Sequence, residues 1–281
     1  MDLVNGLATT VFDIVLWPFE MLSIEVAIAV VSALFGILGL VIFKYISWQK
    51  GIKDTKDQIK GHMIEIRIYQ DDLPVVGKAV AKVLFRNVQY LLLNLLPFVP
   101  LSIPFVILLS QLVVRYAFEP LEENQPFTIT VEMAQAHRAA VSDLEVILPE
   151  GIDEDDVVIV RSPADGRAFV SVRETTAGLH DFGFKVGPSG TLVEKPVVIG
   201  ADTEPPRSMQ PERVGTFFSA WIWPAEDMVN DDRIDRIAID GGYPESSFAF
   251  LPDGIMGLLI GVILYSFIAG LAVLKPLGVT I

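Results

Sequence analysis

Residues 44–86 read KYISWQKGIKDTKDQIKGHMIEIRIYQDDLPVVGKAVAKVLFR, and residues 87–115 continue as NVQYLLLNLLPFVPLSIPFVILLSQLVVR. The first part is rich in charged side chains, whereas the second carries no charge before Arg115. A charged, helix-forming arm therefore leads directly into a hydrophobic run that contains three prolines. Uncharged runs of this length are typical of segments that cross a bilayer, so this stretch predicts a membrane protein.

Two further apolar runs lie on either side of this stretch. Eighteen uncharged residues separate Glu25 from Lys44, and another run lies between Asp253 and Lys275. Eighteen helical residues extend roughly 27 Å, close to the hydrocarbon thickness of about 30 Å. Although 52% of the residues are hydrophobic, the chain also carries 35 acidic residues. Because the acidic and apolar residues are segregated along the chain, we expect three transmembrane helices and a separate polar domain.

Basic residues predict the orientation of the three spans. Residues 44–86 hold nine Lys or Arg against five acidic residues, whereas residues 117–253 hold ten against twenty-six. Cytoplasmic loops are enriched in Lys and Arg. We therefore expect the arm and the C-terminus in the cytoplasm, and the N-terminus and the acidic region outside. The chain has no N-x-S/T sequon, which favours a bacterial inner (cytoplasmic) membrane.

The predicted fold class is membrane α-helical, with an extracytoplasmic all-β, immunoglobulin-like sandwich. In residues 1–22 the apolar side chains recur at helical spacing, which predicts a helix that lies in the membrane interface. The alternative is a loosely ordered terminus. The predicted segments are an interfacial N-terminal helix (1–22), transmembrane helix 1 (23–44), a cytoplasmic helical hairpin (45–86), a proline-kinked transmembrane helix 2 (87–116), an extracytoplasmic β-sandwich (117–253), transmembrane helix 3 (254–275) and a cytoplasmic tail (276–281).

The arm shows a heptad pattern over residues 44–69. Its two seams are Tyr45, Ile52, Ile59 and Ile66, and Trp48, Thr55, His62 and Tyr69. Such a stripe predicts packing against another helix, in this protein or in a partner. An amphipathic helix on the membrane surface is the alternative. Asp71 and Asp72 precede Pro74, which predicts the capped start of a second helix.

Short strands with turn signals replace the long apolar runs after residue 126. Eight strands over this region predict an antiparallel sandwich of the immunoglobulin type. The predicted strands are FTITVEMAQ (127–135), VSDLEVILP (141–149), DVVIVRS (156–162), AFVSVRE (168–174), HDFGFKVG (180–187), LVEKPVVIG (192–200), RIDRIAID (233–240) and SFAFL (247–251).

Two segments of this domain are candidate sites. Residues Asp153–Asp156 are all acidic, but they lack the alternating spacing and the glycine of a calcium loop. We therefore favour a solvated turn over an ion site. The aromatic segment FFSAWIWP (217–224) is predicted to belong to the sandwich core, with contact to the bilayer or to a partner as the alternative.

Composition argues against several functions. The chain has no cysteine and three scattered histidines, so we expect no thiolate metal site and no cofactor. No residue spacing matches a catalytic motif, so no enzymatic activity is predicted. The acidic region lacks the basic footprint that nucleic-acid binding requires.

A first span with its N-terminus outside, a basic helical hairpin inside and the proline-containing span PFVPLSIPFVILLSQL (97–112) together resemble the Oxa/YidC-type membrane insertase superfamily. The likeness is to its small three-span branch, which includes archaeal homologues and the core subunit of the endoplasmic reticulum membrane complex. The resemblance implies a hydrophilic groove open to the cytoplasm, with a positive residue for which Lys44 and Arg86 are the candidates. The chain departs from the family in the 137 residues, 117–253, that join its last two spans.

The sequence thus predicts a non-enzymatic insertase or chaperone. The alternative is a structural or assembly subunit of a larger bacterial membrane complex, which docks through the sandwich and the arm. The expected partners are the lipid bilayer and either other membrane-protein subunits or nascent membrane proteins, without nucleic acid. The candidate contact residues are Trp48, Ile52, Ile59, Ile66, Arg86, Asn94 and Gln111. For the two amides, Asn94 and Gln111, the alternative role is a hydrogen bond that holds packed helices together.

Overall fold

The computed structural model describes residues 2–173, 176–200 and 208–278. Met1, residues 279–281 of the predicted tail and Glu174, the predicted end of one strand, lie outside this range. The chain forms two compact units. The β-rich unit comprises Met1–Glu25 and Val106–Ile260, and the helical unit comprises Val26–Phe105 and Gly261–Ile281.

Among the described residues, six long helices account for the predicted helical segments. Their bounds are α1 Asp2–Glu20, α2 Ile24–Ile46, α3 Gln49–Ile68, α4 Leu73–Leu95, α5 Phe98–Tyr116 and, near the C-terminus, α7 Gly254–Leu274. In the part of the chain that the structure describes, three segments are long and apolar enough to cross a bilayer: Ile24–Ile46, Leu73–Tyr116 and Gly254–Leu274. This agrees with the three apolar segments predicted from the sequence.

The second apolar segment consists of two helices, α4 and α5. Helix α4 continues without interruption from Leu73 to Leu95, so the predicted limit at residue 86 does not coincide with a helix end. The interruption comes at Leu96 and Pro97. Leu96 keeps helical backbone angles and donates to the Leu92 carbonyl, but Pro97 has no amide hydrogen with which to continue the helix. The start of α4 follows the prediction, since the Asp72 carboxylate accepts a hydrogen bond from the Val75 amide at 3.3 Å.

The β-rich unit contains two antiparallel sheets. The five-stranded sheet has the order β3-β4-β1-β8-β7, and the three-stranded sheet has the order β2-β5-β6. A short helix, α6 (Ser219–Ile222), follows β7. The strand bounds are β1 Phe127–Met133, β2 Leu144–Ile147, β3 Val157–Ser162, β4 Arg167–Val172, β5 Gly178–Val186, β6 Val193–Ile199, β7 Glu212–Val214 and β8 Ile234–Ile239.

Alternating apolar side chains form the core between the two sheets. Ile129 and Val131 of β1 and Phe182 and Phe184 of β5 are fully buried, as expected when every second side chain of a strand points to one face. The rings of Phe127 and Phe182 meet edge to face with their centroids 6.0 Å apart, so the inner faces of the two sheets are in direct contact.

One strand prediction and one core prediction are wrong. SFAFL (247–251) forms no strand and none of its residues is buried, so its apolar residues do not form the buried face of a sheet; the chain pairs just before it, through the Phe118–Glu245 bridge. Strand β7 was not predicted, because its three residues include one apolar side chain and show no alternation. The aromatic segment 217–224 was predicted to lie in the core. Instead Phe217 and Phe218 are exposed, since the chain turns into α6 rather than extending along a sheet.

Candidate functional site

An apolar groove in the helical unit is bordered by α2, the α4–α5 junction and α7. Its volume is about 530 Å³, within the range of ~300–1,000 Å³ that is typical of ligand clefts. Only three polar residues line it: Asn94, Ser102 and Ser266. The aromatic lining residues are Phe35, Phe43, Phe98, Phe105 and Phe267.

Close contact between α2 and α7 shapes one wall of the groove. A Cβ atom on Gly36 would lie 2.1 Å from the carbonyl oxygen of Ser266, so only glycine permits this approach of the two backbones. Small residues serve the same purpose wherever apolar helices pack closely. The Ser266 hydroxyl donates to the Ser32 carbonyl at 2.9 Å, which fixes the contact.

Asn94, a predicted site residue, lies in the last turn of α4 and lines the groove. Its side-chain nitrogen donates to the Tyr90 carbonyl at 2.7 Å. Its side-chain oxygen is buried and has no hydrogen-bond partner among the described residues. An unsatisfied buried acceptor costs about 1–3 kcal/mol, so this side chain is held at some cost beside the groove.

The groove differs from the hydrophilic one that the family resemblance implies. No charged side chain is among its lining residues. Lys44 is exposed at the end of α2. Arg86 instead borders a separate hollow with His62, Lys82 and Phe85.

That hollow lies between α3 and α4, the two helices of the hairpin. The Arg86 guanidinium lies 5.8 Å from the centroid of the Phe85 ring and donates to Gln89 at 2.5 Å. On α3, His62 Nδ1 lies 3.0 Å from Glu65 Oε2. This hydrogen bond lowers the pKa of the Glu65 carboxyl group. The hollow is therefore polar and carries the basic side chains that the groove lacks.

The heptad seam of the arm packs within the protein. Ile52 and Thr55 are buried, Ile59 and Ile66 are half-buried, and α3 makes extensive contact with α4. Trp48, in contrast, is 64% exposed. A Cβ atom on Gly51 would lie 2.5 Å from the Trp48 ring, so this glycine lets the ring lie over the first turn of α3.

Gln111, the last predicted site residue, lies in the β-rich unit. Its side-chain oxygen accepts hydrogen bonds from Arg115 on its own helix and from Thr9 of α1. Arg115 also donates to Asp13 at 2.8 Å and to the Thr9 carbonyl at 3.1 Å. Gln111 therefore joins α5 to α1, as in the helix-packing alternative, and does not line the groove.

A buried ion pair in the β-rich unit was not predicted. Lys195 of β6 donates to Glu226 and, at 2.8 Å, to the Gln210 carbonyl. Burial lowers the pKa of the Lys195 amino group and raises the pKa of the Glu226 carboxyl group. The only signal in the sequence was that Lys195 alternates with Val193 and Val197, which places it on the buried face of the strand.

The acidic run at Asp153–Asp156 contains one short 3₁₀ turn, Glu154–Asp156. Its side chains are exposed except at Asp156, which is half-buried. In the described ranges no group of three or more His, Cys, Asp or Glu side chains is arranged to hold a metal ion.

Comparisons with protein-family models, with curated proteins and with solved structures find no match to this chain. The features of the molecule that indicate its function are therefore the groove, the hairpin and the helices that join them.

Proposed function

We propose that this chain is a non-enzymatic inner-membrane protein that assists the insertion or folding of other membrane proteins, as members of the Oxa/YidC-type superfamily do. The observation that carries the proposal is the course of α4. This one helix forms half of the hairpin, and Asn94 in its last turn lines the apolar groove. A client segment that contacts the hairpin could therefore pass along α4 to the groove without leaving the protein.

The chemistry of the groove suits an apolar helix with an occasional polar group. Aromatic side chains offer large apolar contact area, and helices in lipid associate through close packing and hydrogen bonds. The lining residues Asn94, Ser102 and Ser266 supply the few polar groups that such a segment needs. Such a process makes and breaks no covalent bond, so it needs no catalytic side chain.

In this proposal α2, α5 and α7 cross the bilayer. The basic hairpin then lies in the cytoplasm, and residues 117–253, with the two sheets, lie outside as an immunoglobulin-like sandwich. The excess of Lys and Arg in residues 44–86 and the excess of acid in residues 117–253 support this orientation.

Filling the groove tests the proposal. A Cβ atom on Gly39 has no neighbour within 4 Å, so Gly39→Leu adds a side chain to the groove lining without a clash. Gly77→Leu is the matched control, because Gly77 is equally open, also lies in a helix and does not line the groove.

The assay reconstitutes the full chain into lipid vesicles and measures insertion of a single-span client by protease protection. We expect insertion above that of empty vesicles, a fall to the empty-vesicle level for Gly39→Leu, and no change for Gly77→Leu. Equal insertion by the two variants would refute a role for the groove.

A structural or assembly subunit is the second candidate. It is favoured by apolar side chains that the hairpin leaves exposed, among them Met63, Ile64, Ile68 and Leu73, because exposed apolar patches mark protein contacts. This function predicts stoichiometric partners in mild detergent, and loss of those partners when Ile64 and Ile68 are changed to Ser.

A further inference from the structure

The aromatic segment 217–224 has no assigned role in the proposed function. Phe218 is 83% exposed, and Phe217 and Ile222 are each more than half exposed. The segment reads FFSAWIWP and carries no charge, although residues 117–253 as a whole are strongly acidic. Exposed aromatic side chains grouped in this way indicate a contact surface rather than a solvated loop.

The segment is held in place by its own contacts. The Phe217 ring lies 5.9 Å from the Phe218 ring and 6.3 Å from the Trp221 ring. Ala220 is buried beneath them, and Trp223 Nε1 donates to Glu212 of β7 at 2.7 Å. The exposed rings are therefore presented on a fixed support.

Its place in the β-rich unit is beside the end of an apolar helix. The Trp223 ring lies 6.1 Å from the ring of Phe118, two residues after α5 ends at Tyr116. The Ser246 amide donates to the Ala117 carbonyl, and the Gly254 amide donates to Ser246 at the start of α7. The segment thus lies next to the point where two proposed membrane helices meet the domain.

We infer that Phe217, Phe218 and Ile222 insert into the lipid interface of the leaflet at which α5 ends. Phe, Trp and Leu side chains on the apolar face of an interfacial segment are held there by burial at the boundary between headgroups and acyl chains. A charge-free surface also avoids repulsion from anionic lipid headgroups. The inference rests on the proposed membrane placement of α5 and α7.

The experiment uses the absence of cysteine from the chain. Phe218→Cys in the full-length protein is labelled with a nitroxide and reconstituted into vesicles of phosphatidylcholine and phosphatidylglycerol. The ratio of nitroxide collisions with oxygen to those with a water-soluble nickel chelate then reports depth. Because the Phe218 side chain is 83% exposed, this substitution removes the contact with the Phe217 ring but no part of the buried core.

Two further labels serve as depth references. Ala164→Cys lies in the exposed β3–β4 turn, which is at the Met133 end of β1. The chain comes from α5 and enters β1 at the opposite end, Phe127. Ile268→Cys lies on an exposed face of α7. We expect a ratio at position 218 between those at 164 and 268.

Equal ratios at 218 and 164, with a high ratio at 268, would overturn the inference and leave the membrane placement standing. That result would also be expected if the segment binds a protein partner, since these vesicles contain none. A low ratio at 268 as well would overturn both the inference and the proposed placement.

Discussion

Arg115 of α5 and Asp13 of α1 form an ion pair in which Nη2 donates to Oδ1 at 2.8 Å, and 2% of the arginine side chain is exposed. The guanidinium also lies 6.0 Å from the Phe12 ring centroid. Tyr116, the residue after Arg115, donates to Glu20 at 2.5 Å, and Glu20 lies about two turns after Asp13 on α1. These contacts attach the N-terminal helix to α5.

Asp13→Asn should loosen this attachment. Arg115 would keep its bonds to Thr9 and Gln111 but lose its carboxylate partner, so we expect a loss of about 1–3 kcal/mol in unfolding free energy. Chemical denaturation in detergent measures the loss, and limited proteolysis shows whether α1 becomes accessible. Asp54→Asn, an exposed substitution on α3, is the control; equal stability of the two variants would contradict the prediction.

Lys195→Met should destabilise the β-rich unit strongly. Lys195 is fully buried, and its removal leaves the Glu226 carboxyl group without its partner, at a cost of about 3–5 kcal/mol. The double variant Lys195→Met/Glu226→Met removes both charges and should recover much of that loss. A double-mutant cycle by chemical denaturation measures the coupling, and additive effects would argue against a paired interaction.

Acid should weaken the β-rich unit through Asp231. The Asp231 carboxylate accepts hydrogen bonds from Arg233 at 2.6 and 2.8 Å, and from the Thr191 amide at 3.2 Å. The hydrogen bonds from Arg233 lower the pKa of Asp231 to about 2. The folded state therefore favours the ionised form.

The stabilisation that ionised Asp231 contributes is present in full above the pKa of this carboxyl group in the unfolded chain, near 4. It is lost as pH falls through the folded-state pKa of about 2. After allowance for solvent screening, we expect a loss of about 1–2 kcal/mol. Asp231→Asn should remove the pH dependence in this window, as followed by tryptophan fluorescence. The control is Asp232→Asn, a substitution at the exposed residue next to Asp231. An unchanged acid transition in Asp231→Asn would contradict the assignment.

Gly36→Leu should separate α2 from α7. The new Cβ atom would overlap the Ser266 backbone, and forced overpacking costs about 1–3 kcal/mol or more. Gly39→Leu adds the same side chain three residues later, where nothing lies within 4 Å. The thermal unfolding midpoint in detergent should fall for Gly36→Leu alone, and similar midpoints for both variants would show that the close contact is absent.

The elements of the fold were predictable because their signals are local. Uncharged runs such as residues 26–43 reveal an apolar helix directly, and alternation in residues such as 127–133 reveals a strand with one buried face. The cap at Asp72 and the helix end before Pro97 also follow from neighbouring residues. The three-residue strand β7 carries too few side chains for any period to appear.

Contacts between distant residues were not predictable. Periodicity shows which face of an element is buried but not what covers it, so Asp13 could not be matched with Arg115, nor Lys195 with Glu226. The same limit applied to the groove. Asn94 stood out as a polar residue in an apolar run. The role of Gly36, which is to let α2 approach α7, can be recognised only from its contact with Ser266.

The central claim, that the groove receives segments of nascent membrane proteins, is tested most directly by photo-crosslinking. Benzoylphenylalanine replaces Phe98 in the groove, or Leu92 on the exposed face of α4 outside it, and ribosomes translating a membrane protein are added to the membranes. We predict a crosslink from position 98 to the nascent chain, lost after release by puromycin, and none from position 92. Failure of position 98 to capture a nascent chain, or its capture of one stable protein regardless of puromycin, would contradict the account.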